Sequence, residues 1–126
     1  MAPTNSGPSR IFHIAFESDW SAAQVEGSYR VSTRGLTLGE VGFIHAGFEH
    51  QVSTIGTAFY ADVTDPVVVL VVDTERLDVP VVVESPKGSE EAFPHIYGAL
   101  PIHAVVEVLP ASITDGVFVV EDLGPS

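Results

Sequence analysis

The amino-acid sequence predicts a single α+β domain, and two observations carry that prediction. Apolar, mostly β-branched runs of strand length recur at 11–16, 67–72, 81–84 and 101–109, while helical spacing is confined to 18–27 and 48–61. With 126 residues, 45 % of them hydrophobic and 17 % charged, the chain can bury one core and is too apolar to stay disordered.

Taken in order, residues 1–10 (MAPTNSGPSR) read as a disordered tail, lacking the basic and apolar regions of a signal peptide. The strand at 11–16 (IFHIAF) presents Phe12, Ile14 and Phe16 on an apolar face expected to meet the core. His13 is on the opposite face, toward a cleft or solvent. Ser18 is the expected N-cap of the first helix, with Trp20 and Ala23 inward and Gly27 as its stop.

Tyr29 to Thr33 reads as a short strand followed by a glycine-containing loop. Arg30 and Arg34 are the densest positive charge in the chain. Arginine forks well onto a phosphate or carboxylate, so both are substrate-binding candidates, although the acidic background favours internal ion pairs.

Phe43-Ile44-His45 predicts a buried strand ending at Ala46-Gly47, and Val52, Ile55, Phe59 and Tyr60 form one stripe of a helix over 48–61. His45 would then precede a helix N-terminus, whose N–H groups and dipole favour an oxyanion and keep a nearby imidazole neutral. The unbroken run Val67–Val72 marks a central strand buried on both faces.

A second valine-rich strand, expected to be buried, ends at Glu84, and 85–91 is a polar loop, a candidate lid over the next segment. That segment, AFPHIYGALP at 92–101, sets His95 and Tyr97 two apart, on one face of an extended backbone stiffened by Pro94 and Pro101. From 101 to 109, alternation places Ile102, Ala104, Val106 and Val108 on one side, with His103 exposed. Residues 117–120 form an edge strand, and the region 111–126 is that edge strand with a tail.

Composition excludes several functions. A net charge of −12 with five scattered Lys and Arg leaves no surface for nucleic acid or anionic membrane. The absence of cysteine excludes disulfides, thiol nucleophiles and thiolate metal sites. The longest apolar run is too short to span a bilayer, and a cytoplasmic protein is expected. Nucleotide-binding glycine motifs, HExxH and GxSxG are all missing. The histidines show no metal-ligand spacing; a site from His13, His45 and His95 with Glu84 would need strands to gather them, and no metal is expected.

Three segments, IFHIAFESDWSAAQVEG, GFIHAGFEHQV and EEAFPHIYGALP, together resemble the DUF952 family of small bacterial proteins over roughly residues 10–110. The resemblance implies a split, mostly antiparallel sheet with short helices, distantly similar to ADP-ribosyltransferases and RNA 2′-phosphotransferases. It also implies that His13, His45, Glu84, His95 and Tyr97 gather at a cleft between two half-sheets. One departure concerns the residue after the second-motif histidine, commonly Ser or Thr in the family and Ala46 here, followed by Gly47.

Function is expected to be general acid–base catalysis on a small molecule, by elimination, isomerisation, cyclisation or hydrolysis and with no cofactor. His45 is the expected base and His95 with Tyr97 the acid or oxyanion donor. Glu84 or His13 would orient an imidazole, and Phe93 and His13 would contact substrate. The alternatives are an ADP-ribosyltransferase-like enzyme binding NAD or a nucleotide through Arg30 or Arg34, and a non-catalytic small-ligand module. The sequence does not fix the oligomeric state, although a C-terminal edge strand could pair edge to edge in a homodimer.

Overall fold

The computed structural model describes residues 9–85 and 88–121 and is an α+β domain in which every named strand pair is antiparallel. The N-terminal tail through residue 8, positions 86 and 87 of the expected lid loop, and residues 122–126 lie outside the described residues. Strand β1 (Arg10–Phe16) pairs with β6 (Val67–Asp73). In turn, β6 pairs with β10 (Val105–Thr114), and β10 with β11 (Val117–Val120), giving the order β1-β6-β10-β11. A second sheet has the order β5-β8-β7, from Ile44–His45, Phe93–Ile96 and Val81–Glu84. Two ribbons complete the set: β2 (Ser28–Tyr29) with β9 (Leu100–Pro101), and β3 (Val31–Thr33) with β4 (Leu36–Thr37).

The valine run Val67–Val72 is buried throughout because the larger sheet separates two cores. Ile11, Ala15, Leu70 and Val72 join Trp20, Tyr29, Ile96 and Leu100 on one side. Phe12, Ile14, Val69 and Val71 join Val52, Tyr60 and Phe118 on the other. This corrects the one-sided reading of β1: with a core on each face, His13 does not reach solvent and is only 2 % exposed.

Helix α1 (Glu17–Glu26) buries Trp20 and Ala23 and stops at Gly27, whose φ of 97° is the left-handed conformation that glycine takes without a Cβ clash. Its N-cap is Phe16, not Ser18, and no side chain caps it; β1 runs straight into the helix while the Glu17 N–H bonds to the Pro66 carbonyl at 3.0 Å. After the β3–β4 ribbon, the one-turn helix α2 (Leu38–Val41) starts in a capping box between Thr37 and Glu40. The helix expected over 48–61 divides into a 3₁₀ turn (Glu49–Gln51) and α3 (Val52–Tyr60).

Two strand readings are corrected. Strand β7 is an outer strand, so Val82 and Val83 are exposed and Glu84 ends an edge rather than a buried strand. The alternation from 101 onward fails because Ile102–Ala104 form a 3₁₀ turn and the β10–β6 register shifts between Val105 and Glu107. Ala104 and Leu109 are buried, whereas Val108 is exposed.

Candidate active site

The two sheets meet where Phe12 and Gly47 exchange backbone hydrogen bonds, 2.8 Å in each direction. Beside this seam opens a cleft of about 630 Å³. One wall is Phe12, His13 and Ile14 of β1; the other is His45, Ala46 and Gly47 with Phe93 and His95. Ile55, Phe59 and Tyr60 of α3 and Ser32, Thr33, Arg34 and Leu36 around the β3–β4 turn close the ends, with Ser89 at the margin. A Cβ on Gly47 would stand 2.7 Å from Ile55 Cδ1, so a larger residue there would push the Ile55 side chain aside.

His45 and His95 are register partners on β5 and β8, which brings residues fifty positions apart in sequence side by side. Their rings are edge-to-face with centroids 5.2 Å apart, and Phe43 stacks on His95 at 4.0 Å. His95 is 3 % exposed. Its Nδ1–H donates to Glu84 Oε2 at 2.7 Å, and the Tyr97 hydroxyl donates to the same oxygen. Both bonds hold the Glu84 carboxyl below its ordinary pKa, the Tyr97 bond most, and the carboxylate in turn raises the Tyr97 phenol. Glu84 and Tyr97 stand behind the ring, outside the cleft lining. His95 Nε2, on the far side of the ring from Nδ1, is buried and has no hydrogen-bond partner among the described residues.

His45 is exposed and lines the cleft. Partial burial first, and next the neighbouring His95, lower its pKa, which favours the neutral imidazole. His13 ties the walls together: its Nδ1–H donates to the His45 carbonyl at 2.5 Å and its Nε2 accepts from the Tyr29 hydroxyl at 2.9 Å. Burial drives the His13 pKa down to about 4, and the same burial raises the Tyr29 phenol. With both nitrogens engaged inside the protein, His13 is a strut beneath the cleft.

The expected oxyanion site at the N-terminus of α3 is not formed from the backbone next to His45. The Ala46 N–H bonds to the Pro94 carbonyl, that of Gly47 to Phe12, and that of Phe48 to Gln51 Oε1. Gln51 is itself fixed by Glu91 and the Ala92 carbonyl, both at 2.9 Å. These bonds fasten Glu91 and Ala92, at the start of the 92–101 segment, to the N-cap of α3.

The structure therefore brings His45, His95, Glu84 and Tyr97 together, with His13 and Phe93 in the cleft wall. Arg34 also lines the cleft, but its guanidinium is held by Asp62 at 2.6 Å and by the Phe59 carbonyl at 2.9 Å, as the ion-pair reading expects. Arg30 is exposed, outside the lining, with its Nε donating to Ser28 Oγ at 3.3 Å. Among the described residues no group of three or more His, Asp or Glu is placed to hold a metal.

Sequence reasoning missed Phe43, Ile55 and Phe59 as site residues. The stripe Val52, Ile55, Phe59, Tyr60 held a usable sign, since Val52 and Tyr60 are buried while Ile55 is half-buried and Phe59 is 63 % exposed at the rim. Part of that stripe serves the core and part the cleft.

Comparison with solved structures gives matches to the protein CC0527 of Caulobacter crescentus. Its crystal structure is 25% identical and superposes with a TM-score of 0.73, over 86% of this chain and 92% of that one. Its solution structure is 26% identical with a TM-score of 0.68, over 87% and 91%. None of the curated proteins compared matches. The model of the family described as "protein of unknown function (DUF952)" matches residues 14–108, and the chain accordingly belongs to the DUF952 family.

Proposed function

We propose that this protein is a small-molecule enzyme that moves protons with His95 and His45 in the cleft between its two sheets. The observation that supports this most is the state of His95. A carboxylate accepts from its Nδ1–H, so in the neutral ring the lone pair is on Nε2, and that nitrogen is buried without a partner among the described residues, in a side chain that lines the cavity. A buried acceptor left unsatisfied costs about 1–3 kcal/mol, and a substrate that fills it recovers that cost. Glu84 would steady the imidazolium that forms when Nε2 takes a proton, the role of the carboxylate in a catalytic triad.

This exchanges the roles expected from sequence, because the carboxylate stands on His95 and not on His45. His95 is then the base. His45, held neutral, donates a ring N–H to a developing oxyanion, as a neutral imidazole polarises a carbonyl. The nucleotide reading draws less support, since Arg34 is already paired and Arg30 is outside the cleft.

The test is turnover of a panel of carbonyl compounds for hydrolysis, β-elimination and isomerisation. Any activity found should fall by roughly 10²–10⁴-fold in His95→Ala and in His45→Ala. A folded His95→Ala variant with full turnover contradicts the proposal.

A further inference from the structure

Among the described residues the cleft contains two kinds of polar group, and only one kind lacks a partner inside the protein. Ser32 donates to the Phe43 carbonyl, and Ser89 is tied to the backbone of Glu91. Both nitrogens of His13 are engaged, Thr33 shares a hydrogen bond with the Tyr60 hydroxyl, and Arg34 is paired with Asp62. What remains among the described residues is His95 Nε2 and the ring of His45, side by side on a wall that is otherwise phenylalanine and aliphatic. Polyhydroxylated or polyanionic molecules would lose hydration here without finding replacement partners, and the one lining guanidinium is already neutralised.

We infer that the cleft binds an uncharged, largely apolar small molecule carrying one compact hydroxyl or enolisable carbonyl group, with that group between His95 and His45. The volume of about 630 Å³ falls in the range of pockets for drug-sized ligands. Nε2 without a proton accepts from the ligand's O–H, and a neutral His45 can donate to the same oxygen. Phe59 and Leu36, exposed at the rim, extend the apolar surface toward the entrance. The inference deepens the proposed function by naming its substrate class and rests on the same His95 geometry.

The test is titration of the ¹⁵N-labelled protein with 4-phenylphenol and, separately, with adenosine monophosphate. The phenol is expected to saturate, to move the His95 Nε2 resonance and to shift the amides of Phe93 and Ile55. His95→Phe should weaken it several-fold, by loss of one hydrogen bond. Phe59→Ser, at an exposed position that leaves the fold intact, should weaken it as well. Saturable nucleotide binding in the cleft, or absence of phenol binding there, overturns the inference. Phenol binding without turnover on any carbonyl compound supports the ligand class and contradicts catalysis, so the two claims fail separately.

Discussion

Glu84 Oε2 lies 2.7 Å from His95 Nδ1 and at the same time accepts from the Tyr97 hydroxyl, so one carboxylate oxygen sets the proton arrangement of the site. Replacing Glu84 with Gln removes the charge but keeps the shape. The expected outcome is a fall in turnover of about 10²-fold with unchanged thermal unfolding, and a shift of the pH–rate profile. Tyr97→Phe should have a smaller effect, because the Glu84–His95 bond survives, and should let the Glu84 carboxyl rise toward its ordinary value. NMR titration of the Glu84 carboxyl carbon checks this; an unmoved titration contradicts it.

His13 makes the fold sensitive to acid. Its pKa is about 4 in the folded chain against 6.5 when unfolded, so between those values the unfolded chain binds more protons. The His13 contribution is complete above pH 6.5 and is lost as pH falls through 4, to a total of roughly 3 kcal/mol. Urea unfolding between pH 7 and pH 5 should show this slope, and His13→Gln should flatten it. An equal slope in the variant refutes the assignment.

The packing of α3 on β11 leaves no space for a methyl group at Gly56. A Cβ there would stand 2.2 Å from Phe118 Cγ, a ring that is 1 % exposed. Gly56→Ala should therefore destabilise the protein despite the better helix propensity of alanine, by about 1–3 kcal/mol of overpacking. Phe118→Ala should cost about 3–5 kcal/mol through the cavity it leaves. In chemical denaturation, a stabilised Gly56→Ala variant would show that this contact is looser than described.

The Arg34–Asp62 pair is short but exposed, with side chains 39 % and 79 % accessible. Asp62→Ala should lower stability only slightly and lose that effect at high salt. Thermal unfolding at two salt concentrations measures this. A large, salt-independent loss would mean that the pair supports the cleft itself.

Much of this fold was legible because some patterns are local. The Val67–Val72 run, the Gly27 stop and the buried Trp20 followed from side-chain spacing alone. The cleft was legible in part: spacing put His95 and Tyr97 on one face, and the DUF952-like motifs brought His45 and Glu84 to them. The rest depended on tertiary register. That His13 is a strut required knowing that β1 has a core on each face. That His95 carries the carboxylate required the pairing of β7 with β8, which sets Glu84 beside Phe93. The 3₁₀ turn at Ile102–Ala104 and the shift near Val105 reset an alternation that looked continuous in one dimension.

The central claim is that His95 presents an unprotonated Nε2 to the cleft. Long-range ¹H–¹⁵N correlation of the histidine side chains near neutral pH reads this directly. The predicted result is that the neutral ring of His95 carries its proton on Nδ1, with a Nε2 resonance in the unprotonated range, reverting toward the ordinary tautomer mixture in Glu84→Gln. A neutral His95 carrying its proton on Nε2 in the unmodified protein would contradict the account.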